Sequence, residues 1–179
     1  MSVTLPDLGA AGDGSCLSLH RAGQGDVEFL AATVVAAIEE RYRHRSGWNR
    51  AEFLAGLIAD ATDQVCGGPR GSTTYVIEAD HDRVGRLRLV DDGETLEVAG
   101  LQILPGRQGR GIGRAVLRSI MACADERHVL VVLDVEIDNP DAQRLYERLG
   151  FTVAGPIAGD RLPMTRQPEP PTSTPTATR

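Results

Sequence analysis

Lysine is missing from this chain of 179 residues, and all 19 of its basic residues are arginine. The absence excludes a Walker-A phosphate lysine, a Schiff-base lysine and a pyridoxal-phosphate lysine, because each chemistry needs the amine. Cysteine is scarce. Cys16, Cys66 and Cys123 are odd in number, widely spaced and form no CxxC pair, which predicts free thiols in a reducing compartment. The four histidines, His20, His44, His81 and His128, are scattered without an HExxH, so no metal is expected. No apolar run approaches the roughly 20 residues that span a bilayer. The first residues, 1–7, carry neither a basic nor an apolar leader segment, so a cytoplasmic protein without a membrane partner is expected.

Basic charge is also lacking in bulk: the net charge is −6, which argues against nucleic acid, whose binding needs a basic face. Locally the sign reverses. Arg107, Arg110, Arg114 and Arg118 lie between Pro105 and Arg118 with no carboxylate among them. One basic loop on an acidic chain predicts a site for a small polyanion. The length suits a single domain with a sizeable core.

Residues 1–13 are small or polar and are expected to be loose; 14–166 carry the pattern of a folded domain. Cys16 to His20 alternates as a short strand does. A helical pattern runs from Asp26 through Leu30, Val34 and Ile38, and a second starts at Asn49, with Glu52 at capping-box spacing. Gly67-Gly68-Pro69 breaks the chain. Strands are predicted at Tyr75–Ile77, Arg86–Leu89 and Thr95–Leu104. A helix follows on Ile112, Val116, Leu117 and Ile120, then a buried strand over Val129–Leu133. Asn139 and Pro140 open another helix that Gly150 closes. Strands at Phe151–Val153 and Arg161–Thr165 complete the order. Residues 167–179, with four prolines and four threonines, predict a disordered tail.

The stretch Leu101 to Arg114 carries the chemistry: a strand ends, the glycines 106, 109, 111 and 113 follow, and a helix starts. Glycines let successive N–H groups converge, and a helix N-terminus adds partial positive charge, so the loop suits a phosphate. A dinucleotide fingerprint fails, since counting from Gly109 its last position is Arg114. A P-loop fails for want of lysine. A tight strand-to-helix turn without a ligand is the plain alternative.

Gln108-x-x-Gly111-x-Gly113 resembles the pyrophosphate loop of the GNAT superfamily of acyl-CoA-dependent N-acyltransferases. Leu133-x-Val135, Asn139-x-x-Ala142-x-x-Leu145-Tyr146 and Gly150-Phe151 look like the second half of that family's acetyl-CoA motif. The resemblance implies an α/β (α+β) fold: a mixed, mostly antiparallel sheet of six to seven strands, splayed between strands four and five, with about four helices. It implies acetyl-CoA as co-substrate, with pantetheine along Leu101, Gln102 and Ile103. The pyrophosphate would sit on Gln108, Gly109, Arg110, Gly111, Ile112, Gly113 and Arg114. Asn139 would bond the pantetheine arm, though a helix cap is its simpler role. A bulge near Gly100 would free an N–H for the thioester oxygen.

Tyr146 stands where family members carry the tyrosine that protonates the departing sulfur; a space-filling core tyrosine is the alternative. Glu97, eleven residues before Gln108, resembles in spacing the catalytic glutamate of histone acetyltransferase members. A carboxylate among Leu96, Val98 and Ala99 suits proton uptake near neutrality, or is an exposed strand residue. Asp134, Glu136 and ordered water are the other candidates. The acceptor wall would include Tyr42, Arg43, His44, Arg45 and Trp48. The expected activity is acetyl transfer to a primary amine, small or peptidic, by direct attack in a ternary complex; a homodimer is left open. The competing readings are a non-catalytic acyl-CoA sensor or assembly module, and a nucleotide-binding α/β protein that does not use CoA.

Overall fold

The computed structural model of the chain describes residues 5, 8–68 and 71–170. The strands are β1 Leu17–Arg21, β2 Ser72–Ala79, β3 Asp82–Asp91, β4 Thr95–Ile103, β5 Leu130–Glu136, β6 Thr152–Val153 and β7 Arg161–Arg166. The helices are α1 Val27–Tyr42, α2 Arg50–Gly67, α3 Ile112–Arg127 and α4 Pro140–Arg148, with single 3₁₀ turns at Gln24–Asp26 and Pro105–Arg107. The seven strands form one sheet in the order β1-β2-β3-β4-β5-β7-β6. Every pairing is antiparallel except β4 with β5. The mixed architecture with four α-helices is the one the sequence predicts. The break at Gly67-Gly68-Pro69 falls at the end of α2, and Pro69 lies outside the described residues.

Alternation along the strands sorts the side chains onto two faces. Leu87 and Leu89 of β3, Leu96 and Val98 of β4, and Val131 and Leu133 of β5 pack with Ile112, Val116, Leu117 and Ile120 of α3. Each such side chain, removed from water, stabilises the fold by about 1.5–3 kcal/mol before entropy is counted. A smaller cluster, Val27, Leu30, Ala61 and Val76, seats α1 and α2 on the opposite face. Asn49 caps α2 as expected, its Oδ1 accepting from the amides of Ala51 at 3.1 Å and Glu52 at 3.3 Å.

The pairing of β4 with β5 covers only Thr95–Val98 against Leu130–Leu133. Beyond Leu133, β5 turns its hydrogen bonds to β7 alone, and the two strands part. The cause is visible on the other edge of β4. Val98 pairs with Leu89 and Gly100 with Arg88, so Ala99 is an extra residue without a partner on β3. Such a bulge bends and twists its strand. The disruption expected near Gly100 is there, centred one residue earlier.

The described residues nearest each end make contacts with the body. Ala10 bridges Cys16, and Ala11 is buried. At the other end the Glu169 amide donates to Asp125 Oδ1 at 2.8 Å. Asp125 also accepts a two-armed pair from the buried Arg166, at 2.8 and 3.1 Å. The rest of the predicted tail, 171–179, lies outside the described residues.

Candidate active site

The glycine loop is shaped by its own residues. Gln108 Nε2 donates back to the Ile103 carbonyl at 2.9 Å, which folds the chain after β4 into a turn. Gly109 and Gly111 hold φ of +75° and +83°, a region that side-chain-bearing residues rarely enter. Gly111 is the N-cap of α3 and no side chain caps it among the described residues, so the first amides of that helix have no partner within it. Alternating backbone hands with free N–H groups make an anion-binding nest.

The arginines divide. Arg114 lines the cavity beside the loop, and so does Arg107, whose guanidinium also pairs with Asp82 at 2.7 Å. Arg110 turns back to the Gly106 carbonyl at 3.3 Å and to Asp13 at 3.7 Å. Arg118 is exposed on α3, outside that cavity. Arg148 of α4 joins from across the site.

Two cavities of about 410 Å³ each meet at the splay. The loop cavity runs along Ile103, Gly109, Gly111 to Arg114, and Leu145. The second, here the helix cavity, lies under α1 and α2, between Val34, Ile38, Tyr42, Phe53 and Leu57 on one side and Ala99 to Gln102 on the other. Leu101, Gln108, Asn139, Ala142 and Tyr146 line both. These five residues therefore mark the junction.

Tyr146 stands on α4, its ring 5.7 Å from that of Phe151. Burial pushes its phenol above the ordinary tyrosine value, because removal from water disfavours the charged form. It keeps its proton at neutral pH. Asn139 is the N-cap of α4, with Oδ1 accepting from the Ala142 amide at 3.3 Å. That bond fixes its amide group at the junction, so the capping role and a place on the cavity wall coexist.

Three carboxylates were singled out from the sequence, and the structure separates them. Glu97 lies in the closed part of the ladder, opposite Val90 on β3 and Val132 on β5, and does not line either cavity. At its position β4 is still paired on both edges. Asp134 is one residue beyond the last paired residue, Leu133; it is exposed and lines the helix cavity. Glu136 lines it too, but is held by Arg41, by the Tyr42 hydroxyl at 3.0 Å and by Arg161 at 3.8 Å. Burial, then the hydrogen bond to Glu136, raises the Tyr42 phenol.

Of the expected acceptor wall only Tyr42 lines the cavity. Arg43 pairs with Glu40 at 2.6 Å outside it. Arg45 lies over the Tyr42 ring at 3.8 Å and binds Asp138 at 2.6 Å. Trp48 packs behind, its ring 5.6 Å from Tyr42 and 4.9 Å from Phe53. Residues not foreseen there are Arg41 and Arg161. The period of α1 points to the first, since Val34, Ile38 and Arg41 recur at helical spacing.

Among the described residues no group of three or more His, Cys, Asp or Glu side chains is placed to hold a metal. No helix among them is long and apolar enough to cross a membrane.

Residues 35–151 match the acetyltransferase (GNAT) family. N-alpha-acetyltransferase RimI of Mycobacterium tuberculosis is 38% identical over 108 residues, 60% of this chain and 63% of that protein. Mycothiol acetyltransferase of Rhodococcus erythropolis is 30% identical over 155 residues, 82% of this chain and 49% of that one. The chain thus spans about half to just under two thirds of the length of these curated relatives. Among solved structures, PaiA N-acetyltransferase of Thermoplasma acidophilum in complex with coenzyme A superposes with a TM-score of 0.65 at 17% identity, over 84% of this chain and 98% of that one. That likeness is one of fold.

Proposed function

The chain belongs to the GNAT acetyltransferase family, and on that premise we propose that it moves an acetyl group from acetyl-CoA to a primary amine by direct attack in a ternary complex. The observation that carries the reading is the position of Tyr146, a half-buried neutral phenol where two cavities meet. One cavity has the anion nest and arginines for the coenzyme; the other supplies room for an acceptor.

The residues fit acetyl-CoA. The amides at the start of α3, with Arg107, Arg114 and Arg148 around them, receive the phosphates. The edge of β4 from Gly100 to Ile103, unpaired by β5, offers main-chain groups to the pantetheine arm. Asn139 orients that arm at the junction. A main-chain N–H at the Ala99–Gly100 bulge stabilises the negative charge that grows on the carbonyl oxygen.

The proton movements balance as follows. Asp134 takes a proton from the acceptor ammonium, and the free amine nitrogen forms a bond to the acetyl carbon. The carbon–sulfur bond breaks, and the Tyr146 phenol gives its proton to the departing thiolate. The acylated nitrogen sheds its second proton as the amide forms, and that proton, passed through solvent, restores the Tyr146 phenol while Asp134 releases its own to solvent. Glu97, deeper in the closed ladder, reaches this chemistry only through water.

Thermal shift with acetyl-CoA and NAD, followed by thiol release with a panel of amines, tests the proposal. Stabilisation by acetyl-CoA alone and amine-dependent thiol release are expected. Equal shifts from both ligands would sink it, and tight acetyl-CoA binding without release for any amine would make the chain a sensor.

A further inference from the structure

Beneath the helix cavity lies a cation that makes no ion pair among the described residues, Asp60 acting on it only from a distance. Arg86 of β3 is 6% exposed. Among the described residues its Nη2 donates to Gln64 of α2 at 3.3 Å, and its Nε has no partner. Burial, then the neighbouring Arg88, lowers the guanidinium to about 10, with Asp60 acting in the opposite direction. It is still charged at neutral pH. A buried charge without a counter-ion is unfavourable unless something else completes it.

The sheet register shows what lies beside it. Arg86 pairs with Gln102 and Arg88 with Gly100, all on the face that α2 covers. Gly100 leaves a notch: the point where its Cβ would stand is 3.5 Å from Gln102 Oε1, 3.6 Å from Arg86 Nη2 and 3.6 Å from Gln102 Nε2. Gly100 and Gln102 both line the helix cavity; Arg86 does not, and its Nη2 lies behind the notch that the missing side chain of residue 100 leaves open. Three buried polar atoms are unpartnered among the described residues: Arg86 Nε, Gln102 Oε1 and Thr74 Oγ1. Thr74 pairs with Arg88 on the adjoining strand, so all three belong to one patch.

We propose that this notch receives an anionic group of the acceptor, which makes the preferred amine one that carries a carboxylate a few bonds from its nitrogen. The proposal rests on the reading of the helix cavity as the acceptor site. A guanidinium and a primary amide together offer the several N–H donors that a carboxylate accepts. The ammonium end then lies toward Asp134, an exposed cavity carboxylate that no side-chain bond engages among the described residues. Arg41 and Arg161 on the wall are paired with Glu136, while Arg86 and Arg88 beneath add positive charge that disfavours a polyamine. The acceptor is a zwitterion of amino-acid or peptide type.

Matched acids and amides test this: glycylglycine against its carboxamide, β-alanine against its carboxamide, with spermidine as the cationic comparison. With acetyl-CoA saturating, kcat/KM for each acid should exceed that for its amide by roughly tenfold or more, the scale of a charge-assisted hydrogen bond. In Arg86→Gln the acid-to-amide ratio should fall toward one through KM for the acid; Arg86→Lys should keep part of the preference. Calorimetric titration of the coenzyme A complex with the same acids and amides separates binding from turnover. Acid-selective binding without turnover would keep the notch and sink the transfer reading. Turnover that favours amides or spermidine, or a folded Arg86→Gln with the parental acid-to-amide ratio, would overturn the notch and leave acetyl transfer standing.

Discussion

A Cβ on Gly111 would stand 2.8 Å from the amide nitrogen of Gly12, so the glycine loop and the turn at Gly12 close on each other with no room for a side chain. Gly111 also holds φ +83°. Gly111→Val therefore strains its own backbone, by about 1–3 kcal/mol, and displaces the Gly12 turn besides any effect on a ligand.

Gly113 gives the cleaner test of the loop. Its nearest neighbour would be Leu101 Cδ2 at 4.0 Å, and it lines the loop cavity. Gly113→Val should melt as the parent does and bind acetyl-CoA at least roughly tenfold more weakly in calorimetry, since one lost charge-assisted contact is worth that much. Gly111→Val should lose both stability and affinity. Parental affinity in a folded Gly113→Val would remove the pyrophosphate from this loop.

The two carboxylates on either side of the point where β4 and β5 part should respond differently. Asp134→Asn should lower kcat/KM most at low pH and less as pH rises, because free amine then accumulates without a base. Glu97→Gln, outside the cavity, should keep close to the parental pH–rate profile. The reverse pattern would return the base to Glu97.

Asp125 links the end of the described chain to the body. Burial alone would raise its carboxyl, but Arg166 and the Glu169 amide outweigh that and hold it below the usual aspartate value. The folded value is thus below the unfolded one. The stability it gives is present above the ordinary range near ~4 and is lost as pH falls through the lower folded value. Truncation after Pro170 should leave melting unchanged. Truncation after Arg166 removes the bond from the Glu169 amide, which should cost about 0.5–1.5 kcal/mol and flatten the acid limb of melting temperature against pH. Equal melting curves for the two truncations would mean that Glu169 does not dock.

Much of this architecture is legible in the residues. The alternation of Arg86 to Leu89, the Asn139-Pro140 opening of α4 and the αL glycines of the loop each specify local geometry that survives in the fold. What the sequence conceals depends on tertiary placement. Period-two alternation cannot show where β5 leaves β4, because the extra residue at Ala99 is defined only by its partners on β3. Glu97 and Asp134 therefore look equivalent as letters, and one is inside the ladder while the other is past it. Arg86 reads as the polar half of a strand and so as a solvent-facing residue; α2 covers that face and buries it. The acceptor wall misplaced onto Arg43, His44 and Arg45 follows from the same limit. α1 runs to Tyr42, and its phase, not proximity in sequence, decides that Arg41 and Tyr42 face the cavity.

The central claim is that Tyr146 gives a proton to coenzyme A sulfur where the two cavities meet, and thiol release by Tyr146→Phe tests it most directly. The ring remains to pack on Phe151, so melting and acetyl-CoA affinity should be parental. With both substrates saturating, kcat should fall by about 10²–10⁴-fold, toward the lower end because a thiolate is a fair leaving group. The loss belongs in kcat, since the interaction strengthens only as charge grows on sulfur. A Tyr146→Phe protein that binds acetyl-CoA normally and releases thiol at the parental rate would contradict the account and reduce the tyrosine to a packing residue.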